Sequence, residues 1–261
     1  MKDKWALVTG ATAGLGLAVA ESLAGAGANI VLHDLTAPKQ AADRLRARFG
    51  VSVISAEADL SHRCAIEAMM SELSGRCGGI DILVNNAGVV GQIAPFEEIP
   101  AEIYSEIYEV NVVSMVRLVK AVLPVMKAKK WGRIINISSE NGLQPDPDMT
   151  PYNLTKAAII NLSKSLSKTL GQYNILVNTV SPAFIYTPLV EDMIKGIAAR
   201  QGSSDEEALQ RFLSEKRPHI ELRRIGRIDE VGAAVAFLAS EQASFITGTN
   251  LRVDGGSVAS I

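Results

Sequence analysis

The chain contains 261 residues, of which 48% are hydrophobic and 21% are charged, a composition that excludes disordered and fibrous proteins and predicts one domain spanning 1–261. Its 26 basic and 28 acidic residues leave a formal net charge of −2, so no overall field attracts nucleic acid or an anionic membrane. A small-molecule ligand is compatible with this balance.

Short apolar runs alternate along the chain with segments of helical period. We predict strands at 5–9, 29–33, 52–56, 82–85, 133–137, 175–180 and 250–253. A helical segment separates most successive runs, which is the pattern of repeated β-α-β units. The predicted fold class is therefore α/β, a doubly wound parallel sheet of about seven strands with helices on both faces.

The segment 188–224 interrupts this alternation. It is polar and helix-forming, and it follows Thr187 directly. Within it, the sequence GSSDEE at 202–207 is typical of a helix start with acidic residues in the first turn. We predict a helical insertion here and no second independent domain.

A glycine-rich turn follows the first predicted strand. The segment TGATAGLG at 9–16 leads directly into a helical pattern. Gly10, Gly14 and Gly16 allow a sharp turn and a close approach of the backbone to a pyrophosphate, which the amide groups and dipole of the helix start attract. The alternative is a strand-to-helix turn that binds no ligand.

An acidic residue follows the second predicted strand. Asp34 lies 18 residues beyond Gly16, about where a carboxylate accepts hydrogen bonds from the adenosine ribose, and it would repel a 2′-phosphate. Ala13 supplies no positive charge in the turn, so both positions favour NAD over NADP. His33 would help to bind a 2′-phosphate only when its imidazole is protonated. Asp34 has an alternative structural role, which is to cap the following turn.

A tyrosine and a lysine lie one helical turn apart near the start of a long helical pattern. Tyr152 and Lys156 share a face and can act on the same ligand. A tyrosine, with an ordinary pKa of about 10, becomes a useful proton acceptor beside a cation such as Lys156. The same spacing also occurs by chance in ordinary helices. Ser138 and Ser139 place a hydroxyl at the end of a predicted strand, where it either meets a ligand or caps a turn.

Together these motifs resemble the landmarks of the short-chain dehydrogenase/reductase family, in the family's order and over nearly the full chain. The landmarks are the Gly10-Gly14-Gly16 turn, Asp59-Leu60, NNAG at 85–88, Asn111, Ser139, Tyr152-x-x-x-Lys156 and NTVSP at 178–182. The resemblance implies a single Rossmann-like domain, with 188–224 as its substrate lid. It also implies an NAD(P)-dependent oxidoreductase that transfers a hydride between a nicotinamide and a small secondary alcohol or ketone.

The resemblance assigns four catalytic residues. Tyr152 is the acid/base, and Lys156 anchors the ribose and depresses the tyrosine pKa. Asn111 holds a proton-relay water. Ser139 is preferred to Ser138 as the partner of the substrate oxygen, because it precedes Tyr152 by thirteen residues, the spacing usual in the family.

The resemblance also implies a cofactor site along one edge of the sheet. Asp59 contacts the adenine, whereas Asn85 is predicted to hold neighbouring strands together. The family usually has glycine after Pro182; Ala183 stands here and does not reach a positive φ cheaply, so we predict a slightly different backbone. The predicted cofactor-binding residues are Gly10, Thr12, Gly14, Leu15, Gly16, Asp34, Asp59, Leu60, Asn86, Ala87, Gly88, Tyr152, Lys156, Pro182, Ala183, Ile185 and Thr187.

The lid resembles that of 3-hydroxybutyrate dehydrogenases, in TPLVE at 187–191 and LSEK at 213–216. Those enzymes usually bind the substrate carboxylate with Gln, His and Lys, at positions that align with Val90, Asn141 and Met149. Because that set is absent, we predict a secondary alcohol or ketone of unspecified skeleton. The predicted substrate-binding residues are Ser139, Asn141, Gln144 and Tyr186, and placement in a surface loop is the alternative for each.

Two other functions stay open. A 3-oxoacyl-[acyl-carrier-protein] reductase that uses NADPH is similar to this chain, although Asp34 argues against that cofactor. A non-catalytic dinucleotide-binding regulator belongs to another class, and it has no need to retain all four catalytic residue types.

The remaining expectations concern location and assembly. The apolar run after MKDK at 1–4 is too short for a signal-peptide core, and no stretch has the roughly 18 uncharged apolar residues of a membrane span. Cys64 and Cys77 lack the spacing of metal ligands. We expect a cytoplasmic protein with free thiols, no metal site, and no membrane or nucleic-acid partner. The family resemblance implies a homotetramer.

Overall fold

A computed structural model describes residues 1–260 of the chain. The strands are β1 Trp5–Thr9, β2 Asn29–Asp34, β3 Val53–Glu57, β4 Ile82–Asn85, β5 Gly132–Ile137, β6 Ile175–Pro182, β7 Ile185–Tyr186, β8 Gly226–Arg227 and β9 Asn250–Val253. The α-helices are α1 Gly14–Gly25, α2 Lys39–Phe49, α3 Arg63–Cys77, α4 Ala101–Tyr108, α5 Ser114–Lys129, α6 Thr150–Leu170, α7 Pro188–Gln201, α8 Asp205–Lys216 and α9 Ile228–Ala239. None of the helices within residues 1–260 has the length and apolar character needed to cross a membrane.

Seven strands form one parallel sheet in the order β3-β2-β1-β4-β5-β6-β9. The strand order reverses between β1 and β4, so the loops that follow these two strands diverge and leave a crevice at the carboxyl edge of the sheet. The predicted fold class, an α/β doubly wound parallel sheet of about seven strands, is confirmed.

The sheet is buried on both faces. In β1, Ala6 and Val8 pack in the apolar layer that includes α1, α2 and α9, whereas Leu7 packs in the layer that includes α3, α5 and α6. Side chains alternate between the two layers, and both layers exclude water. This explains why the strands read as nearly continuous apolar runs in the sequence.

The predicted strand bounds differ from the structure at several ends. β2 extends to Asp34, β5 begins at Gly132, β6 extends to Pro182, and β3 is Val53–Glu57, one residue later than predicted. Strand ends depend on pairing with neighbours, as Pro182 of β6 does with Val253 of β9, and such pairing is not visible locally. The small sheet of β7 and β8 was not predicted, because two-residue strands carry no period.

The predicted helical insertion contains α7 and α8. Ser204 caps α8, because its hydroxyl accepts a hydrogen bond from the Glu207 amide while the Glu207 carboxylate accepts one from the Ser204 amide. The helix start predicted here is therefore confirmed. The two helices pack on each other through Ile194, Ala198 and Ala208, an apolar cluster separate from the two layers of the sheet.

Candidate active site

The glycine-rich turn joins the end of β1 to the start of α1. Gly10 and Gly14 have φ values of +64° and +57°, in the left-handed region that favours glycine. A Cβ atom on Gly16 would lie 2.1 Å from the carbonyl oxygen of Gly10, so no larger residue fits there without movement of the backbone. Ala13 caps α1 without a side-chain hydrogen bond, which leaves the first amide groups of the helix able to bind an anion.

Asp34 ends β2 beside this turn. One carboxylate oxygen accepts a hydrogen bond from the Thr12 amide at 3.0 Å, and the other accepts one from the Leu35 amide at 2.9 Å. The local capping role considered from the sequence is therefore present. It also fixes the carboxylate at the sheet edge, and each oxygen retains a lone pair for a ribose hydroxyl.

His33 is buried next to this carboxylate. It is 2% exposed, and its Nε2 lies 3.0 Å from the carbonyl oxygen of Ala58. Burial lowers the pKa of His33, and the hydrogen bond to Ala58 and the charge of Asp34 oppose that shift only in part. The imidazole is neutral at pH 7 and supplies no positive charge for a 2′-phosphate.

The two asparagines after β4 have separate tasks. The Asn86 side-chain amide donates to the carbonyl oxygens of Thr9 at 2.8 Å and Gly10 at 3.1 Å, so it holds the glycine-rich turn in place. The Asn85 amide donates to Oδ1 of Asn136 at 2.7 Å and links β4 to β5. The structural task expected of Asn85 is confirmed, and the Asn86 side chain acts on the turn itself.

A π-helical turn, Glu109–Val113, presents Asn111 at the site, and such turns are frequent at functional sites. Asn111 Oδ1 accepts from the Val89 amide at 2.8 Å, and its Nδ2 donates to the Val89 carbonyl at 2.9 Å and to Thr155 Oγ1 at 3.1 Å. A Cβ atom on Gly88 would lie 3.2 Å from Asn111 Oδ1. Asn111 therefore clamps the segment after β4 to α6, with both amide hydrogens committed to the protein.

Tyr152 and Lys156 share a face of α6, as the spacing predicts. The Lys156 Nζ atom lies 5.3 Å from the centroid of the Tyr152 ring and donates to the carbonyl oxygen of Ile137 at 3.0 Å. The Ser138 hydroxyl donates to the Lys156 carbonyl oxygen at 2.8 Å and thus holds α6 to β5. The Ser139 hydroxyl interacts with Tyr152 and acts to lower its pKa. The geometry favours Ser139 over Ser138 as the catalytic partner.

Burial dominates the ionisation of this pair. It raises the pKa of the Tyr152 phenol; the Ser139 hydroxyl opposes the shift and the negative charge of Glu140 adds to it. Burial also lowers the pKa of Lys156 to about 8. The expected depression of the tyrosine pKa by Lys156 is not found: Lys156 is not among the groups that shift the Tyr152 pKa, and its ammonium group donates to the Ile137 carbonyl.

The Lys156 pKa predicts a dependence of stability on pH. Lysine keeps its ordinary pKa of 10.5 in the unfolded chain, so between about 8 and 10.5 the unfolded state holds a proton that the native state has released. The free energy of unfolding therefore rises with pH in this window relative to a protein without the group. We expect Lys156→Met to have a higher free energy of unfolding than the wild type at pH 7, and this difference to shrink by about 3 kcal/mol between pH 7 and 11. Urea unfolding of both proteins at several pH values checks this. A difference in the free energy of unfolding that does not change with pH would contradict it.

Two predicted cofactor residues have side chains that are buried in the apolar layers of the sheet. Leu60 is 5% exposed and Ile185 is 7% exposed, and each side chain packs in an apolar layer. Because burial keeps these side chains from a ligand, the predicted cofactor contact of both residues concerns their main chain. Asp59 differs: its carboxylate accepts from the Ser61 amide at 2.9 Å and the Ser61 hydroxyl at 2.7 Å, and these bonds lower the Asp59 pKa.

The chain from β6 to α7 brings the insertion to the glycine-rich turn. Ala183 has no positive φ, so the backbone at the family's usual glycine adopts an ordinary conformation, and its amide donates to the Val253 carbonyl at 3.3 Å. Thr187 Oγ1 accepts from the Val190 amide at 3.4 Å and caps α7. A Cβ atom on Gly14 would lie 3.9 Å from the Thr187 Cβ. Thr187 therefore lies beside the glycine-rich turn, and cofactor binding by its side chain stays a prediction.

The predicted substrate residues lie in different surroundings. Asn141 is 6% exposed, and its side-chain amide donates to Asn153 Oδ1 at 2.9 Å. This bond engages one amide hydrogen of Asn141 within the protein, and substrate contact at Asn141 stays a prediction. Gln144 Oε1 accepts from the Ala259 amide at 3.4 Å. Tyr186 on β7 is 42% exposed and free to meet a ligand.

Two polar residues near the site were not predicted. Thr155 and Asn153 lie inside the Tyr-x-x-x-Lys turn, so their place in the motif was an available signal. Glu140 is 4% exposed and accepts a hydrogen bond from the Ser257 hydroxyl. That contact joins positions 117 residues apart, and no local pattern indicates it.

The residues at this edge fit a nicotinamide dinucleotide. The bare start of α1 suits a pyrophosphate, and the crowded Gly16 allows the backbone to approach it. The fixed carboxylate of Asp34 suits a ribose. Tyr152, Ser139 and Lys156 lie beyond the reversal in strand order, where the reactive end of a dinucleotide would extend.

Known proteins show the same organisation. The family model described as enoyl-(acyl carrier protein) reductase matches residues 10–258. D-beta-hydroxybutyrate dehydrogenase of Rhizobium meliloti (strain 1021) is 36% identical over 97% of this chain and 98% of its own length.

Two solved structures are also similar. L-sorbose reductase from Gluconobacter frateurii, complexed with NADPH and L-sorbose, has a TM-score of 0.94 at 33% identity, covering 100% of this chain and 98% of its own. NAD⁺-bound xylitol dehydrogenase has a TM-score of 0.85 at 32% identity, covering 98% of this chain and 99% of its own. The fold, site and relatives define an oxidoreductase that acts on CH–OH or carbonyl groups with a nicotinamide cofactor. The chain belongs to the short-chain dehydrogenase/reductase family.

Proposed function

We propose that this protein is an NAD(H)-dependent dehydrogenase of a small secondary alcohol, or the corresponding ketone reductase, with Tyr152 as its acid/base. The observation that carries the proposal is that Lys156 Nζ lies 5.3 Å from the centroid of the Tyr152 ring, while the Ser139 hydroxyl acts to lower the pKa of the Tyr152 phenol. When bound, the nicotinamide takes up or gives the hydride. The protein supplies orientation and proton transfer.

The proposed cofactor contacts follow the edge of the sheet. Gly10, Gly14 and Gly16 hold the pyrophosphate with the amides of Thr12 and Leu15. Asp34 holds the adenosine ribose and Asp59 the adenine. The remaining proposed contacts are the main chain of Leu60, Ala87, Pro182, Ala183 and Ile185, together with Asn86, Gly88, Tyr152, Lys156 and Thr187.

The protein's own residues would move the proton as follows. In alcohol oxidation the Tyr152 phenolate takes the hydroxyl proton, and the Ser139 hydroxyl donates a hydrogen bond to the same oxygen. Lys156 binds the nicotinamide ribose. Both side-chain amide hydrogens of Asn111 are engaged within the protein. A proton-relay water at this residue would therefore donate hydrogen bonds to its carbonyl oxygens.

We also propose that the cofactor is NAD rather than NADP. Asp34 carries a negative charge at the ribose position, and the only imidazole beside it is buried and neutral. Asp34→Ser should raise the KM for NAD by about 10- to 100-fold, the value of hydrogen bonds to a charged group, and lower the KM for NADP. Asp43→Ser, an exposed aspartate on α2, is the control and should leave both constants unchanged. A wild-type KM for NADP that is lower than its KM for NAD would refute the proposal.

The direct test of activity is an NADH absorbance screen. D-3-hydroxybutyrate, xylitol, L-sorbose and cyclohexanol represent hydroxy acids, polyols, sugars and cyclic alcohols. Oxidation of one alcohol class with NAD, or reduction of the ketose L-sorbose with NADH, supports the proposal. NADPH-dependent reduction of a 3-oxoacyl thioester alone would instead favour the acyl-carrier-protein reductase, and failure with every class would favour a non-catalytic regulator.

We propose a cytoplasmic homotetramer as the working form. Phe237 on α9 is 41% exposed and Phe245 is fully exposed near the edge strand β9. Aromatic side chains so exposed are typical of surfaces that another subunit covers.

A further inference from the structure

A chain of polar contacts joins the end of the lid to the loop after β5. Arg217, the residue after α8, has its Nη1 atom 3.0 Å from Asp146 Oδ2. The two side chains are 18% and 23% exposed, so the ion pair is sheltered from solvent more than an ordinary surface pair. It crosses 71 residues of sequence and fixes the lid to this loop.

The loop is in turn fixed to α6. The Asn153 side-chain amide donates to the main-chain carbonyl of Asp146 at 2.6 Å, and Asn153 Oδ1 accepts from the Asn141 amide at 2.9 Å. Asn141 and Asn153 are 6% and 7% exposed. Buried amides that lose a partner are costly, so these bonds hold the two side chains in one arrangement.

The chain of contacts ends on the Ser139 hydroxyl. The Asn141 main-chain amide donates to Ser139 Oγ at 3.2 Å, which occupies one lone pair of the hydroxyl. The Ser139 hydroxyl donates to Asn141 Oδ1 at 3.4 Å, a long and weak hydrogen bond. A substrate oxygen can therefore take this hydrogen at little cost, provided that Asn141 stays in place.

The lid contacts the rest of the protein at several points. Phe212 of α8 stacks on Phe184, with the ring centroids 4.9 Å apart, and the Leu222 amide donates to the Gly255 carbonyl oxygen at 3.1 Å. The lid helices pack on each other through an apolar cluster that is separate from the apolar layers of the sheet. The ion pair at the end of α8 is one of these contacts, and it joins the lid to the loop after β5.

We propose that Asn141 and Asn153 are positioning residues that transmit the position of Arg217, which the ion pair with Asp146 joins to the loop after β5, to the hydroxyl of Ser139. The inference rests on the proposed function, in which Ser139 hydrogen-bonds the substrate oxygen. Neither asparagine touches the reacting atoms. Their effect is on the direction of one hydroxyl.

A double-mutant cycle tests this. Arg217→Ala and Asn153→Ala should each lower kcat about tenfold, the cost of one lost hydrogen bond, on the panel alcohol with the highest kcat/KM. The double variant should be no slower than the slower single variant, because both changes interrupt one chain of contacts. Arg217→Lys should recover most of the rate. The Kd for NADH, measured by fluorescence, should not change.

The control is Arg211→Ala. Arg211 is an exposed arginine of α8, and its Nη1 donates to Gln201 within the lid, 3.1 Å away. The variant should retain wild-type kcat. The inference would be overturned if the loss of rate in the double variant equalled the product of the two single losses. It would also be overturned if Arg217→Ala had the same rate as Arg211→Ala. If Asn153→Ala fails to fold, Arg217→Ala and Arg217→Lys keep the test decisive, because they change the lid end of the chain.

A second readout needs no substrate. The tyrosinate absorbance of Tyr152, taken as the difference from Tyr152→Phe, gives the pKa of the phenol. The Ser139 hydroxyl lowers that pKa, whereas burial and Glu140 raise it and Lys156 lies beside the ring. Arg217→Ala and Asn153→Ala should shift the titration upward, towards that of Ser139→Ala. An unchanged titration would overturn the inference.

Two outcomes separate the proposed role of Ser139 from the positioning role of the two asparagines. Wild-type activity in Ser139→Ala would remove the proposed function of that residue. Loss of activity in Ser139→Ala, with Arg217→Ala and Asn153→Ala at wild-type rates, would leave the proposed function intact and overturn only the inference.

Discussion

Replacing Tyr152 with phenylalanine is expected to lower kcat for alcohol oxidation by about 10²- to 10⁴-fold, the usual contribution of general acid–base catalysis. The change removes one hydroxyl and leaves the ring on α6 beside Lys156. Binding of NADH should be unaffected, because the proposed cofactor contacts of the glycine-rich turn and Asp34 are unchanged. The measurement is steady-state turnover together with a fluorescence titration of NADH.

Tyr173→Phe is the matched control. Tyr173 also lies beside a lysine, since Lys127 Nζ is 4.7 Å from the centroid of its ring, but it is located after the end of α6 and away from the carboxyl edge of the sheet. Its rates should equal those of the wild type. Wild-type turnover in Tyr152→Phe would remove the acid/base assignment, whereas loss of activity in both variants would indicate a general effect of removing a phenol.

The same hydroxyl determines how activity should respond to pH. Oxidation requires the phenolate, and burial raises the pKa of Tyr152 above its ordinary value. The value of kcat/KM for oxidation should therefore rise through the alkaline range. Reduction requires the protonated phenol, so its kcat/KM should decline only as that pKa is passed. Tyr152→Phe should lose this dependence together with the activity.

The fold was predictable because burial leaves a strong record in the sequence. β5 and β6 are buried along their whole length and appear as short apolar runs, and the helices between strands carry a different period. The ends of the strands were less predictable. Asp34 belongs to β2 through pairing with Glu57 of β3, a contact with a residue 23 positions away.

The site was predictable where one short segment carries the chemistry. The glycine-rich turn and the Tyr152-x-x-x-Lys156 spacing each fix their geometry within one turn of chain. The surroundings of Asn141 were not predictable for the opposite reason, because its side-chain amide donates to Asn153 across a loop. The Arg217–Asp146 pair was not predicted at all, since a basic run in the sequence is usually a solvated face.

The second large effect is expected from Gly16→Ala. Its Cβ atom would lie 2.1 Å from the Gly10 carbonyl oxygen and 2.6 Å from Asn86 Nδ2, and contacts this short force the backbone of the turn to move. Overpacking of this kind costs about 1–3 kcal/mol of stability. The start of α1 should also be displaced from its position for binding a pyrophosphate. We therefore expect both a lower free energy of unfolding and a large loss of affinity for NADH.

Gly75→Ala separates this clash from the intrinsic effect of the substitution. Gly75 also lies in an α-helix, α3, and a Cβ atom there would meet nothing within 4 Å. Alanine stabilises a helix by about 0.5–1 kcal/mol relative to glycine, so Gly75→Ala should raise the free energy of unfolding and leave NADH binding unchanged. Urea unfolding and NADH titration of both variants measure the two effects. Because the gain in helix propensity is common to both sites, the difference between them isolates the contact with Gly10 and Asn86. Equal stabilities and equal affinities would mean that the turn tolerates a side chain at Gly16 and that its close packing is not needed to bind the cofactor.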